Sequence, residues 1–225
     1  GGRARGTVVH CHGNAGNVSG HFEHVHWLPH EGWNLLCFDY RGYGRSDGRP
    51  RRRGTIDDAH AAIDYVRSRD DVDADRVVLF GQSIGGAIAI VAAAERDDVC
   101  GLATEGAFTT YREAARCALR QQWWTWGMSW IASRLLISKG SDPIDHVGRI
   151  CPRPILIIQG TEDEIIDWRM GQQLYDAAGQ PKQLWIVRGA GHTDVLELML
   201  EVARARLLDF FEWCVRAGKA GRARP

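Results

Sequence analysis

Ser83 stands in a Gly-x-Ser-x-Gly pentapeptide, Gly81-Gln82-Ser83-Ile84-Gly85, between the apolar run RVVLFG and a second run of small apolar residues. A serine hydroxyl is a weak nucleophile at neutral pH. It needs a base within hydrogen-bond reach and a third group that orients the base. Two later segments offer such groups. TEDEII places Asp163 just beyond the apolar run PILIIQG, and AGHTD places His192 in a glycine-rich loop after QLWIVRG. A hydroxyl, a carboxylate and an imidazole converging from three such ends form a device for acyl transfer: the serine attacks a carbonyl and the histidine moves the proton. Asp163 has acidic neighbours in Glu162, Glu164 and Asp167, and the sequence does not choose among them. Glu105, at the end of GLATE, is a reserve for the acid, with a structural hydrogen-bonding role as its simpler reading.

Negative charge develops on the carbonyl oxygen during attack and needs N–H donors aimed at it. The loop HCHGNAGN, residues 10–17, can aim the amide of Asn14 at that oxygen, opposite the amide of Ile84. Its plainer reading is a helix start capped by Asn14 or Asn17. His21, His24, His26 and His30 crowd one segment, and His26 and His30 have the spacing that can place two imidazoles on one helix face. No carboxylate or thiolate completes a zinc set, so no metal is expected. RGYGRSDG and RPRRRG, residues 41–54, read as a solvated basic loop and a helix start in preference to a phosphate contact, with Asp39 as the anchor of that loop.

These side chains need elements to hold them. Short β-rich runs alternate with helix-length segments: TVVHC, NLLCFDY, RVVLFG, GLATE, PILIIQG and QLWIVRG are the strands, and residues 17–31, 55–69, 84–96, 168–178 and 194–217 the helices. That alternation predicts a parallel sheet covered on both faces. Residues 106–150 separate two strands by far more than the usual ~2–6 residues of such loops. This insertion holds Trp123, Trp124, Trp126 and Trp130, and reads as one or two lid helices whose aromatics line an acyl pocket as well as packing among themselves. The 225 residues suit one domain, 1–225, and the formal net charge of zero gives no pull toward nucleic acid or an anionic membrane. The apolar run after Ser83 is far short of the ~20 residues of a membrane span, and the opening GGRARG is no secretory signal. Six scattered cysteines without metal spacing are expected to be free thiols in a reducing cytoplasm.

HGNAGN, FDYRGYGRSDG, DRVVLFGQSIGG, GTEDEII and GAGH together resemble the α/β-hydrolase superfamily, in particular its HGNAGN-type serine hydrolases, which include esterase-like and depalmitoylating members. The resemblance covers about residues 7–215. It implies Ser83 as nucleophile, His192 as base, Asp163 as orienting acid, and the amides of Asn14 and Ile84 as the oxyanion hole. It also implies a three-layer sandwich with a mostly parallel sheet. The family's first two strands are not found before TVVHC, which leaves about six, ordered NLLCFDY, TVVHC, RVVLFG, GLATE, PILIIQG, QLWIVRG. NLLCFDY then becomes an open edge, so that either the sequence is a piece of a longer chain or this is a pared-down member whose copies pair through that edge as a homodimer. The expected activity is cleavage of a small-molecule carboxylic ester or thioester through an acyl-enzyme, with no cofactor. Oligopeptidase-like amide hydrolysis and a non-catalytic binding protein of the same fold are the alternatives.

Overall fold

The computed structural model describes residues 4–14, 16–120 and 140–222. Six strands form one sheet: β1 (Thr7–Cys11), β2 (Asn34–Cys37), β3 (Val77–Gln82), β4 (Leu102–Glu105), β5 (Ile155–Gly160) and β6 (Lys182–Val187). Their order is β2-β1-β3-β4-β5-β6 and every pairing is parallel. This is the expected α/β-hydrolase sheet. Because all strands point the same way, all their carboxyl ends lie on one rim.

The central strands β1, β3, β4 and β5 are largely apolar and buried because both faces are covered, while the edge strands β2 and β6 are half-buried. Side chains alternate between faces along a strand, and the core divides accordingly. Val9, Cys11, Leu79, Leu102 and Ile157 enter one cluster, with α2 (Arg52–Arg67), α3 (Ile84–Ala94) and α5 (Arg169–Ala177). Val8, Val78, Phe80, Ala103 and Leu156 enter the other, with Trp27, Trp33 and α7 (Leu200–Arg222). Burying one such Val, Leu or Ile contributes about 1.5–3 kcal/mol. α3 has the sequence IGGAIAIVAAA and is buried on all sides after its first residue, so small side chains let it lie close on the sheet beneath its neighbours.

Some elements differ from the sequence expectation. The helix expected over 17–31 is one turn, α1 (Val18–His21), followed by 3₁₀ turns at Phe22–His24 and Leu28–Glu31. Trp27 Nε1 donates to the His24 carbonyl at 2.9 Å, taking an acceptor that a continuous helix would use, and Pro29 has no N–H to give. NLLCFDY pairs only as far as Cys37. Beyond it the Asp39 carboxylate accepts from Val18 N (2.8 Å) and its carbonyl accepts from Ser46 Oγ (2.8 Å), so the chain leaves the ladder to tie loops together. The last helix is split into α6 (Val195–Leu198) and α7 at Met199, whose φ of −133° and ψ of 47° are not helical. In the insertion, α4 (Tyr111–Arg120) and 3₁₀ turns at Pro143–Asp145 and Val147–Ile150 are described. Trp123, Trp124, Trp126 and Trp130 lie outside the described residues. Among the described residues no helix is long and apolar enough to cross a membrane.

Candidate active site

β3 ends in Gly81-Gln82 and α3 begins at Ile84, so Ser83 alone makes the turn. Its φ of 54° lies in the left-handed region that non-glycine residues avoid. The turn is held open by close packing. A Cβ on Gly85 would fall 2.0 Å from the Cys11 carbonyl oxygen and 2.4 Å from that of His12, so only glycine lets the start of α3 meet the end of β1. That contact also lays the loop after β1 across the first turn of α3.

The three separated residues meet at this rim. His192 Nε2 is 2.9 Å from Ser83 Oγ, although the two stand 109 positions apart in sequence. His192 Nδ1 is 2.8 Å from Asp163 Oδ2. The Asp163 side chain is 1% exposed and the His192 side chain 16%, so the acid is sealed beneath the ring. Asp163 Oδ1 accepts from the amides of Ile165 (2.9 Å) and Ile166 (2.8 Å), and Oδ2 also accepts from Gln159 Nε2 (3.0 Å). With its carboxylate accepting at Nδ1, the ring carries its proton there and turns an unprotonated Nε2 toward the serine. Of the acidic cluster, Asp163 is the residue that reaches His192.

Glu105 lies elsewhere. It is buried at the end of β4, accepting from Gln82 Nε2 (2.8 Å) and from Val195 N (3.0 Å). Burial pushes its carboxyl up, against the hydrogen bonds from Gln82 and Val195. The reserve acid is thus a structural hydrogen-bonding residue. Neither Gln82 nor Gln159 was a candidate by sequence; their signal is an amide at the end of an otherwise apolar strand, where a buried polar side chain needs partners.

Among the described residues, the amides of Asn14 and Ile84 have no backbone partner. Tyr43 Oη donates to Asn14 Oδ1 at 2.6 Å and Tyr40 Oη to the His12 carbonyl at 3.1 Å, which fixes the loop carrying Asn14. Asn17, not Asn14, caps α1, accepting from Ser19 N at 2.9 Å. His12 is buried and stacks on His21 with ring centroids 5.2 Å apart; burial pulls its imidazole below the usual range. Among the described residues no group of three His, Cys, Asp or Glu side chains is disposed to hold a metal. Arg41 of the basic loop is tied to Asp58 through its Nε, Nη2 and backbone N–H groups.

Beside the rim lies a small apolar cluster of Ala87, Phe108, Ile166 and Met170, flanked by Ile84 and Tyr111. An open cleft of about 440 Å³ adjoins Asp163 and is lined by Cys117, Thr161, Asp167 and Trp168 among others.

The family model Hydrolase_4, described as "Serine aminopeptidase, S33", matches residues 2–149. This chain belongs to the Hydrolase_4 family of α/β-hydrolases. The Hydrolase_4 match includes Ser83 but ends before Asp163 and His192, so their meeting with the serine is a finding of the fold. Uncharacterized protein YfhR of Escherichia coli strain K12 is 34% identical over 207 residues, which are 91% of this chain and 69% of YfhR. Among solved structures, the Pyrococcus furiosus esterase Pf2001 matches with a TM-score of 0.78 at 20% identity, covering 94% of this chain and 83% of that one. The Paleococcus ferrophilus monoacylglycerol lipase matches with a TM-score of 0.69 at 19% identity, covering 96% of each chain. At such identities these two structures speak for the Hydrolase_4 member's fold alone.

Proposed function

We propose that this chain is a serine hydrolase cleaving carboxylic ester or thioester bonds of small acyl substrates. Ser83 Oγ attacks the carbonyl carbon while His192 Nε2 takes the hydroxyl proton. The carbonyl π electrons move onto oxygen, where the amides of Asn14 and Ile84 hold the charge. The intermediate collapses and expels an alcohol or thiol, which takes the proton from His192 and leaves Ser83 acylated. Water, deprotonated by the same imidazole, then adds to the acyl carbon, and the acid departs as Ser83 regains its proton. Asp163 keeps the ring in the needed tautomer and stabilises the imidazolium. No metal or organic cofactor enters this scheme.

The observation that carries the reading is the continuous relay from Ser83 Oγ through the His192 ring to Asp163 Oδ2, at 2.9 and 2.8 Å. Solved esterases and a lipase of the same fold support the substrate class by analogy. From the sequence we assign Trp123, Trp124, Trp126 and Trp130 to the acyl pocket; the apolar residues Phe108, Ile166 and Met170 beside the rim suit such a pocket. We place the enzyme in the cytoplasm, where its six free cysteines stay reduced, and read residues 1–225 as one domain with a lid over 106–150.

A fluorophosphonate probe tests the chemistry. Folded wild type should be labelled and Ser83→Ala should not; no labelling of the folded wild type favours a non-catalytic binding protein. p-Nitrophenyl esters of rising acyl length then test the pocket, which loses its support if long chains gain nothing over acetate. Amide cleavage is the second reading, favoured by the description of the family model as a serine aminopeptidase. Aminoacyl p-nitroanilides turned over faster than the esters would put it first.

A further inference from the structure

The two loops that bring Ser83 and His192 together both end on one buried residue. In the β3–β4 register Gln82 lies opposite Glu105. The amide of Ser83 donates to the Glu105 carbonyl at 2.8 Å. The Glu105 carboxylate accepts from Gln82 Nε2 at 2.8 Å and from Val195 N at 3.0 Å. Val195 opens α6 and lies three residues beyond His192. Gly106, the residue after Glu105, has φ of 65°, and a Cβ there would stand 3.1 Å from His192 Cε1, so the ring rests on this turn. Behind Gln82, His10 Nε2 lies 3.1 Å from Gln82 Oε1. Since the Gln82 nitrogen is given to Glu105, its oxygen accepts and the His10 ring donates from Nε2. Donors therefore run in one direction, from His10 through Gln82 to Glu105.

Glu105 is 2% exposed and Gln82 1%, and a carboxylate there is costly to bury unless its oxygens are used. As a spacer between strands an apolar side chain would serve better. A carboxylate has what the position requires: two acceptor oxygens, one for the β3 end and one for the histidine loop. We propose that Glu105, backed by Gln82, is a positioning residue for the reaction proposed above, setting the hydroxyl-to-imidazole distance by clamping both loops at once. His192 is then held from two sides, by Asp163 on its ring and by Glu105 on the backbone beyond it.

This inference rests on the hydrolase reading, and its test separates the two. Glu105→Met keeps about the same length but offers no strong acceptor to Gln82 Nε2 or to Val195 N, so both side-chain ties open. Esterase kinetics and the downfield proton resonance of the His192 Nδ1–H, assigned by its loss in Asp163→Asn, would be followed together in folded protein. We expect kcat to fall about 10- to 100-fold with KM within about twofold, the size of effect a displacement near 1 Å produces, and the resonance to shift or broaden. Gln82→Met should do the same more weakly and carries the test if Glu105→Met does not fold. Unchanged kcat and an unchanged resonance in a folded variant overturn the clamp. If wild type neither reacts with fluorophosphonate nor turns over esters, the hydrolase reading falls, and the resonance alone decides: its shift in Glu105→Met upholds the positioning role, its persistence ends it.

Discussion

Two histidine–carboxylate pairs in this molecule have nearly the same length and opposite surroundings. On the flank of α2 and α3, His60 Nε2 lies 3.0 Å from Glu95 Oε2, and Arg53 Nη1 also lies within 2.8 Å of both Glu95 oxygens. Those side chains are 18% and 21% exposed, and the carboxylate's charge is already met by a guanidinium. At the rim, Asp163 is sealed, and its other donors are two backbone amides and the Gln159 side chain, none of them charged. Its negative charge is oriented by dipoles and remains available to an imidazolium. The distance between the partners does not distinguish the proposed proton relay from a surface tie. What distinguishes them is whether a fixed cation has already neutralised the acid, and what the other ring nitrogen faces, which for His192 is the Ser83 hydroxyl.

The strongest way to break the contrast is to neutralise each acid. Asp163→Asn should lower kcat/KM about 10⁴-fold, because the ring loses the partner that sets its tautomer, whereas Glu95→Gln should leave it within twofold. Equal losses, read from p-nitrophenyl ester hydrolysis, would erase the distinction. A smaller effect concerns His10, also in the buried network behind the rim. Burial, partly opposed by its hydrogen bond to Gln82, pulls its imidazole down to about 3 from the ordinary 6.5. The folded protein keeps His10 neutral where the unfolded chain takes up a proton, so stability falls as pH drops below about 6.5 and this loss stops growing near 3. His10→Gln, which can still donate to Gln82, should remove about 2 kcal/mol of the stability lost between pH 7 and 5, measured by urea unfolding. The least effect is expected on the flank. Partial burial pushes the Glu95 carboxyl up, but hydrogen bonds from Arg53 and His60 outweigh it and hold the group below its ordinary value. Its contribution is therefore present above about pH 4.5, the unfolded value, and is lost as pH falls through the lower folded one. Glu95→Gln should cost about 1 kcal/mol or less at neutral pH, and less still in 1 M salt. A thermal melt that shows a larger loss, or one indifferent to salt, would place this pair with the buried one.

The sheet was legible because each strand is a β-rich run closed by a turn signal, and because parallel strands covered on both faces stay apolar without alternation. Ser83 and His192 were legible because each stands in a glycine-flanked turn directly after such a run. Asp163 was less so: four acidic residues share its loop, and what selects it is its hold on the amides of Ile165 and Ile166, which depends on how the chain bends. Glu105 was visible as an acid, but its task was not, since that follows from the strand register opposite Gln82 and from where Val195 docks. The broken segment 17–31 misled because its polar residues suit a helix, while the Trp27 indole takes a backbone carbonyl that only the folded loop brings within reach.

The 109 positions that separate Ser83 from His192 also give the molecule a history. A ribosome adding about 5–20 residues per second needs roughly 5 to 20 s to travel from one to the other. Throughout that interval the growing polypeptide displays a hydroxyl with no imidazole to awaken it. On the proposed hydrolase reading, a nascent chain is harmless to acyl groups around it until β6 and the loop after it have been made and have docked, and the order of translation acts as a safety catch.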